Sequence, residues 1–271
     1  MRKILDLYIN SSLHVALAVA SFSLVTCIRF QHLPHWELLL FVLFGSITGY
    51  NFVKYAGLAK LHHLSLTRNL RFIQFFSLCC FLAAAYFLFQ QPREVIVLSA
   101  ILGCFTLLYA VPFWKGKANL RSINGTKIFV IALVWAGTTV LLPLFPLGAM
   151  DSMIVFSEFL QRFLLVLVLM FPFEIRDLKF DKLQLGTIPQ RIGTGRTKNL
   201  GYVLLLLILL LEFLRPDFKV IFFLPLLFTV LISGMFLYRT RKEQSPYFAS
   251  FWVEAIPIMW LLISLLLRNL F

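Results

Sequence analysis

Long apolar runs separated by short polar segments extend along the chain from residue 11 to residue 267. The runs are continuous and lack the alternation of apolar and polar residues that is typical of transmembrane β-strands. Because a helix satisfies its own backbone hydrogen bonds in lipid, such runs predict membrane-spanning helices. The pattern predicts nine spans: Ser11 to Ile28, Glu37 to Val53, Phe72 to Phe89, Val95 to Phe113, Ile128 to Phe145, Met153 to Phe173, Leu200 to Phe213, Val220 to Tyr238 and Phe248 to Leu267. We therefore expect an all-α polytopic membrane protein with a single transmembrane domain over residues 1–271.

The basic residues of the polar segments predict an orientation. With the N-terminus in the cytoplasm, 19 of the 25 Lys and Arg residues fall in inside segments and five fall outside, while Arg162 lies within a span. Cytoplasmic loops carry an excess of Lys and Arg, so this split favours that orientation. Nine crossings would place the C-terminus outside. We predict an integral protein of the inner or plasma membrane, with its long loops in the cytoplasm.

Composition agrees with this class. The chain is 60% hydrophobic and its mean hydropathy is +0.88, too apolar for a soluble domain of 271 residues. The net charge of +13 is explained by cytoplasmic loops facing anionic membrane lipids, so we expect no nucleic-acid partner. The four cysteines lie in or beside apolar runs without metal-site spacing, which favours small buried residues.

The segment Phe173 to Gly195 is the most polar part of an otherwise apolar region. It holds three of the chain's twelve acidic residues, Glu174, Asp177 and Asp181, at spacings that place them on one helix face. Carboxylates on one face repel one another unless a cation lies between them, and oxygen ligands at the edge of water favour Mg²⁺. A solvated loop whose acids offset its own basic residues explains the same pattern equally well.

The second half of the segment, LGTIPQRIGTG, is rich in glycine and contains Arg191. Flexible backbone of this kind can direct N–H groups at an anion. Together, the two halves predict a site that binds a diphosphate through a metal ion.

The run RDLKFDKLQLGTIPQRIG resembles the second aspartate motif of the UbiA-type intramembrane prenyltransferases, which reads roughly R-D-x-x-x-D followed by G-x-x-T-x-P and a later Gly. The matching residues are Arg176, Asp177, Asp181, Gly186, Thr187, Pro189 and Gly193, although Gly186 and Thr187 are adjacent here. That family has nine helices, with important loops after the second, fourth and sixth. The resemblance therefore covers the whole chain in predicted topology, and in motif it is specific after the sixth span.

The resemblance implies an activity. A prenyl diphosphate would bind through Mg²⁺, its ionisation would leave an allylic cation, and a lipophilic acceptor would capture the prenyl group. Asp177 and Asp181 would then be catalytic metal ligands, with Glu174 as a further ligand. The end of the fourth span, LLYAVPFWKGK, is similar to the family's Tyr and Lys region at that place. The residues expected to contact the diphosphate are Asn51, Lys54, Tyr109, Lys115, Lys117 and Arg191.

The first aspartate motif of that family, N-D-x-x-D-x-x-x-D, is not preserved. Asn51 is retained, but Phe52, Tyr55 and Ala59 stand at the three Asp positions, and no carboxylate lies between Glu37 and Glu94. Lys54, aided by Lys60 or Arg68, could replace one metal as a point charge. Alternatively, the protein has lost catalysis and retains a lipid-binding cavity.

We therefore favour a prenyltransferase and keep a catalytically inactive isoprenoid- or lipid-binding membrane protein of the same fold as the second hypothesis. A transporter would require paired interrupted helices, which the pattern does not show. Among the remaining polar residues, Glu158 and Arg162 are four apart and are expected to pair within the sixth span. Glu254 has no partner close in sequence and is expected to face the cavity or a neighbouring helix.

Overall fold

The structure of the chain is a computed structural model, which describes residues 2–33, 35–55, 68–111, 125–145, 151–179 and 186–268. Over these ranges every regular element is helical, which confirms the predicted all-α class. The α-helices are α1 (Arg2–Asn10), α2 (Leu13–Arg29), α3 (Trp36–Tyr55), α4 (Arg68–Leu88), α5 (Arg93–Ala110), α6 (Lys127–Ala136), α7 (Leu142–Leu144), α8 (Ser152–Asp177), α9 (Ile188–Phe213), α10 (Val220–Arg239) and α11 (Ile256–Arg268).

Most of the predicted spans coincide with helices of this structure. In the described ranges, seven helices or continuous helical stretches are long and apolar enough to cross a membrane, and α1 with α2 would make an eighth if that bent pair is one span. The predicted count of nine is not confirmed. The predicted span Leu200 to Phe213 lies within α9, and its apolar part is shorter than the ~20 residues that a span requires.

Two helical stretches contain π-helical turns. Gly137–Leu141 connects α6 to α7, and Phe248–Val253 precedes α11. A π-turn inserts one extra residue and so redirects the side chains that follow it, and such turns are frequent at functional sites. Helix α9 is kinked at Gly193, where φ is 82° and ψ is 161°, a conformation suited to glycine.

Helix α8 forms the centre of the bundle. Its six consecutive residues 164–169 are all buried, as expected for a helix surrounded by other helices. It packs against α6, α9 and α10, while α2 packs against α3 and α11. Helix α4 packs mainly against α3 and leaves large apolar side chains such as Phe75 and Phe81 exposed, as a lipid-facing helix does.

The N-terminus differs from the prediction. The sequence pattern begins its first span at Ser11, whereas the structure has a separate helix α1 that meets α2 at an angle of 55°. The bend occurs at Ser12, which is fully buried and has a left-handed backbone with φ 63°. A residue other than glycine rarely adopts this conformation, so surrounding contacts must hold the bend in place.

A buried network of ion pairs connects α2, α8, α9 and the turn after α9. The predicted pair of Glu158 and Arg162 is confirmed, with Arg162 Nη2 3.1 Å from Glu158 Oε1. The same glutamate lies 3.0 Å from Nε of Arg29 and 2.8 Å from Nη1 of Arg215. Arg29 also reaches Glu212, at 2.7 Å. Each charge therefore has an opposite partner, which is the condition for burying it.

Candidate functional site

A cavity of about 490 Å³ lies between α2, α3, α5 and the α6–α7 stretch. Its wall is mostly apolar, and small residues of α3 and α5, among them Gly45, Gly49 and Gly103, leave the space open. Sites for small lipophilic molecules are typically cavities of this size with a few polar groups at defined places. The remaining lining residues are Val19, Phe41, Val42, Ser46, Tyr50, Val53, Lys54, Ser99, Leu102, Thr106, Tyr109, Val130, Ile131, Val134, Trp135, Thr138 and Leu142.

The polar groups of the wall include Lys54, Tyr50 and Tyr109. Lys54 is in the last turn of α3, and Tyr109 is near the end of α5 and only 5% exposed. The indole Nε1 of Trp135 donates a hydrogen bond of 2.5 Å to the hydroxyl of Tyr50. The cavity therefore combines aromatic faces with the cationic side chain of Lys54, and it brings together two of the predicted site residues, Lys54 and Tyr109.

The residues that stand in place of the first aspartate motif bind the backbone between α1 and α2. Nζ of Lys54 donates to the carbonyl oxygen of Ile9 at 3.1 Å. The Asn51 amide donates to Ser11 O at 3.0 Å, and the Tyr55 hydroxyl donates to Asn10 O at 3.0 Å. Asn51 is 3% exposed and is not part of the cavity wall. The structure thus assigns these side chains a contact that the sequence pattern did not reveal.

The second aspartate motif begins at the C-terminal end of α8. Arg176 Nε donates to Asp177 Oδ1 at 2.8 Å, and Lys127 Nζ lies 3.9 Å from Asp177 Oδ2. Glu174 is 2% exposed. Asp177 therefore faces the start of α6, the helix that contributes Val130 and Val134 to the cavity wall.

Three predicted site residues, Asp181, Lys115 and Lys117, lie outside the described residues. Among those that are described, no group of three or more His, Cys, Asp or Glu side chains could hold a metal ion. The expected set of Glu174, Asp177 and Asp181 therefore remains a prediction.

Arg191 lies near the loop that precedes α6. A Cβ atom placed on Gly125 would lie 3.2 Å from Gly186 O and 3.9 Å from Cζ of Arg191. The side chain of Gln190 accepts a hydrogen bond of 3.1 Å from the backbone N–H of Thr187 and so fixes the first turn of α9, on which Arg191 is carried. Lys127 and Arg191 therefore approach one region from the start of α6 and the start of α9.

Glu254 follows the π-helical turn Phe248–Val253 and interacts electrostatically with Lys54 and Arg176. Its carboxyl group therefore lies within range of charges from both motif regions. The sequence predicted that Glu254 faces the cavity or a neighbouring helix, and Glu254 is not among the residues of the cavity wall. Its placement depends on the π-turn and on contacts between distant helices, neither of which a local pattern contains.

The sequence itself matches no protein-family model, and no curated protein matches it. Solved structures are similar over the whole chain. A UbiA homologue from Archaeoglobus fulgidus bound to GPP and Mg²⁺ superposes with a TM-score of 0.56 at 14% identity, covering 97% of this chain and 96% of that one. The fold is UbiA-like. The resemblance predicted from the sequence is confirmed at this level.

Two further structures give the same result. The digeranylgeranylglyceryl phosphate synthase structure has a TM-score of 0.57 at 15% identity and covers 98% of each chain. The Archaeoglobus fulgidus UbiA homologue bound to DMAPP and Mg²⁺ has a TM-score of 0.55 at 14% identity, with 97% of this chain covered. Together with the apolar helices, these similarities support an integral membrane protein of UbiA-like fold.

Proposed function

We propose that the protein is a membrane prenyltransferase that transfers a prenyl group from a prenyl diphosphate to a lipophilic acceptor. The observation that carries the proposal is the cavity, an apolar space of about 490 Å³ with Lys54 in its wall, within a UbiA-like fold. An apolar wall suits a prenyl chain, and a cation suits the diphosphate. The UbiA homologue structures that hold GPP or DMAPP with Mg²⁺ support the same class of ligand.

The carboxylates that could hold Mg²⁺ belong to the second aspartate motif, and the position of the first motif offers none. Mg²⁺ in proteins is held by one or two carboxylates together with substrate phosphates and water, and Asp177 with Asp181 and Glu174 would supply such oxygens. Residues 51–55 contain no carboxylate and carry the cation Lys54. When bound, Mg²⁺ would neutralise negative charge on the leaving diphosphate.

The chain's own cations would share that task. Lys54, Lys127 and Arg191 are carried by α3, α6 and α9, and we propose that they and Tyr109 hold the diphosphate as its bond to the prenyl group breaks. Charge that develops on a leaving group is stabilised most by groups already in position. Lys115, Lys117 and Asn51 remain proposed contacts from the adjoining segments.

The cavity wall would protect the reactive prenyl cation from water. The aromatic faces of Tyr50, Trp135 and Phe41 line the same space, and ring faces attract cations. The hydrogen bond between Trp135 and Tyr50 holds two of these rings in a fixed relation. Capture by an acceptor would then follow without a competing reaction with water.

Turnover of geranyl diphosphate in detergent, with and without Mg²⁺ and with a panel of lipophilic acceptors, tests the proposal. The Asp177→Asn variant should release diphosphate at least about 100-fold more slowly than the wild type. This is the decrease in rate expected when a preorganised electrostatic group is removed. Glu243→Gln, an exposed acid between α10 and the second π-turn, is the matched control and should retain activity. Equal activity of wild type and Asp177→Asn would contradict the proposal.

A non-catalytic isoprenoid-binding protein is the second candidate. It is favoured by one specific observation, namely that Asn51, Lys54 and Tyr55 use their polar atoms on the backbone of residues 9–11. Saturable binding of geranyl diphosphate without turnover in any acceptor reaction would select this candidate over the enzyme.

A further inference from the structure

The turn between α1 and α2, residues 9–11, is bound by three side chains of α3. The carbonyl oxygens of Ile9, Asn10 and Ser11 accept hydrogen bonds from Lys54, Tyr55 and Asn51 at 3.1, 3.0 and 3.0 Å. Three consecutive carbonyls are thus held by one turn and a half of a neighbouring helix. Such a set of directional contacts fixes both the position and the orientation of a backbone segment.

The residues on either side of this turn are held by a different part of the chain. The Tyr247 hydroxyl donates to Asp6 Oδ1 at 2.5 Å, and His14 Nε2 donates to the carbonyl oxygen of Phe251 at 2.8 Å. The Tyr8 hydroxyl lies 2.9 Å from Nδ1 of the same histidine. Residues 6–14 therefore lie between α3, which binds their middle, and the second π-turn, which binds their two flanks, and we call this segment the strap.

The strap is kept in a bent conformation. Ser12, at the bend, has φ 63° and lies fully buried, and a serine adopts this left-handed conformation only when its surroundings impose it. Loss of the contacts from α3 would remove part of what imposes the bend. The strap should then straighten or become mobile without any change in the spans themselves.

Lys54 connects the strap to the cavity. Its ammonium group donates to Ile9 O, and its side chain is also part of the cavity wall. A phosphate oxygen is a stronger acceptor for an ammonium group than a neutral carbonyl, because charge-assisted hydrogen bonds are about twice as strong. A phosphorylated ligand in the cavity would therefore compete with Ile9 for this cation.

We propose that Asn51, Lys54 and Tyr55 hold the strap against α3, and that a ligand phosphate in the cavity loosens the strap by drawing Lys54 away from Ile9. The residues at the position of the first aspartate motif thus serve as a latch on the strap. The latch itself stands on the described contacts alone, whereas its release by a phosphate rests on the proposed function.

Hydrogen–deuterium exchange of the full-length protein in detergent tests the latch. The amides of Ser11 and Ser12 donate to Leu7 O and Ile9 O, so exchange in residues 7–12 reports the order of the strap. Lys54→Met with Tyr55→Phe should accelerate exchange there at least about 10-fold. Lys198→Met, which removes another Nζ bond to a backbone carbonyl, at Tyr238, is the matched control and should leave residues 7–12 unchanged. Unchanged exchange in the double variant would overturn the latch.

Addition of geranyl diphosphate tests the release, with geraniol as a ligand of the same prenyl group without phosphate. Geranyl diphosphate should accelerate exchange in residues 7–12 of the wild type, whereas geraniol should not. Lys54→Met should respond to neither. Binding of geranyl diphosphate, measured by calorimetry, without faster exchange would overturn the release and leave the proposed function intact. An absence of binding would reject the proposed function and the release together, while the comparison of variants would still decide the latch.

Discussion

Nη1 of Arg215 donates a 2.8 Å hydrogen bond to Oε2 of Glu158, and both side chains are almost completely buried. Glu158 lies on α8, and Arg215 lies in the turn after α9. The same carboxylate also pairs with Arg29 of α2 and Arg162 of its own helix. One acidic side chain thus joins three parts of the bundle, and three arginines depend on it.

Replacement of Glu158 by Gln should therefore destabilise the protein strongly. The amide keeps the size of the side chain but leaves buried guanidinium groups without their shared counter-charge, a change that typically costs about 3–5 kcal/mol. We expect a large fall in the thermal midpoint in detergent. The exposed Glu243→Gln serves as the control, and an equal midpoint for both variants would contradict a structural role for the network.

Asp217 extends this network to the surface and makes it sensitive to acid. Burial alone raises the pKa of Asp217, but the hydrogen bonds and charge of Arg215 outweigh this effect and lower the pKa below its ordinary value of 3.8. A lowered pKa contributes stability that is fully present above the ordinary value and is lost as pH falls through the pKa of the folded protein.

The thermal midpoint of the wild type should accordingly decrease as the pH falls below 3.8, in part through protonation of Asp217. Asp217→Asn should have a lower midpoint at neutral pH and a smaller decrease in acid. If the thermal midpoints of the two proteins decreased in parallel as the pH was lowered from 5, Asp217 would contribute nothing to the loss of stability in acid.

Gly201 lies where α9 packs tightly against side chains of its neighbours. A Cβ atom at this position would lie 2.4 Å from Cδ2 of Leu237 and 3.2 Å from Cδ2 of Phe171. Gly201→Ala should therefore cost about 1–3 kcal/mol through overpacking. Gly195→Ala, in the same helix with nothing within 4 Å, is the control and should be neutral or slightly stabilising. Equal midpoints for the two variants would contradict the close packing of α9 on α10 and α8.

Gly103 offers a direct test of the cavity. It lies in the cavity wall, and a Cβ atom there would meet nothing within 4 Å. Gly103→Phe should therefore fill part of the space and weaken geranyl diphosphate binding at least about 10-fold without unfolding the protein. Ile101→Phe places the same side chain at an exposed position of the same helix, outside the cavity wall, and should bind as the wild type does. A similar loss of binding in both variants would place the ligand elsewhere.

Apolar continuity alone was enough to predict most of the spans, because a helix in lipid is marked by composition along its whole length. The helix α1 was missed because it is short and mixed in character, and its angle to α2 depends on Ser12 and on contacts from α3. The span predicted at Leu200 to Phe213 is not confirmed for a similar reason. The first half of α9 is polar and is kinked at Gly193, which leaves only a short apolar part.

The sequence predicted the local pairs and the fold, but not the contacts between residues far apart in the chain. Local spacing predicted the pair of Glu158 and Arg162, and the resemblance predicted the UbiA-like fold. Neither predicted that Lys54 would bind Ile9, nor that Glu254 would interact with Lys54 and Arg176, because these residues are far apart in sequence and meet only through helix packing. The predicted metal ligands and diphosphate contacts await the experiments proposed above.

The ion network has a consequence for how the chain is made. Arg29 is separated from its partner Glu212 by 183 residues, and Glu158 from Arg215 by 57. During synthesis, α2 therefore leaves the ribosome long before Glu158 and Glu212, the partners of its arginine, have been made. The buried network can therefore form only after α9 and the turn that follows it have been made, so the final packing of α2 depends on the C-terminal half of the protein. A chain truncated before residue 158 should be retained by the insertion machinery or degraded.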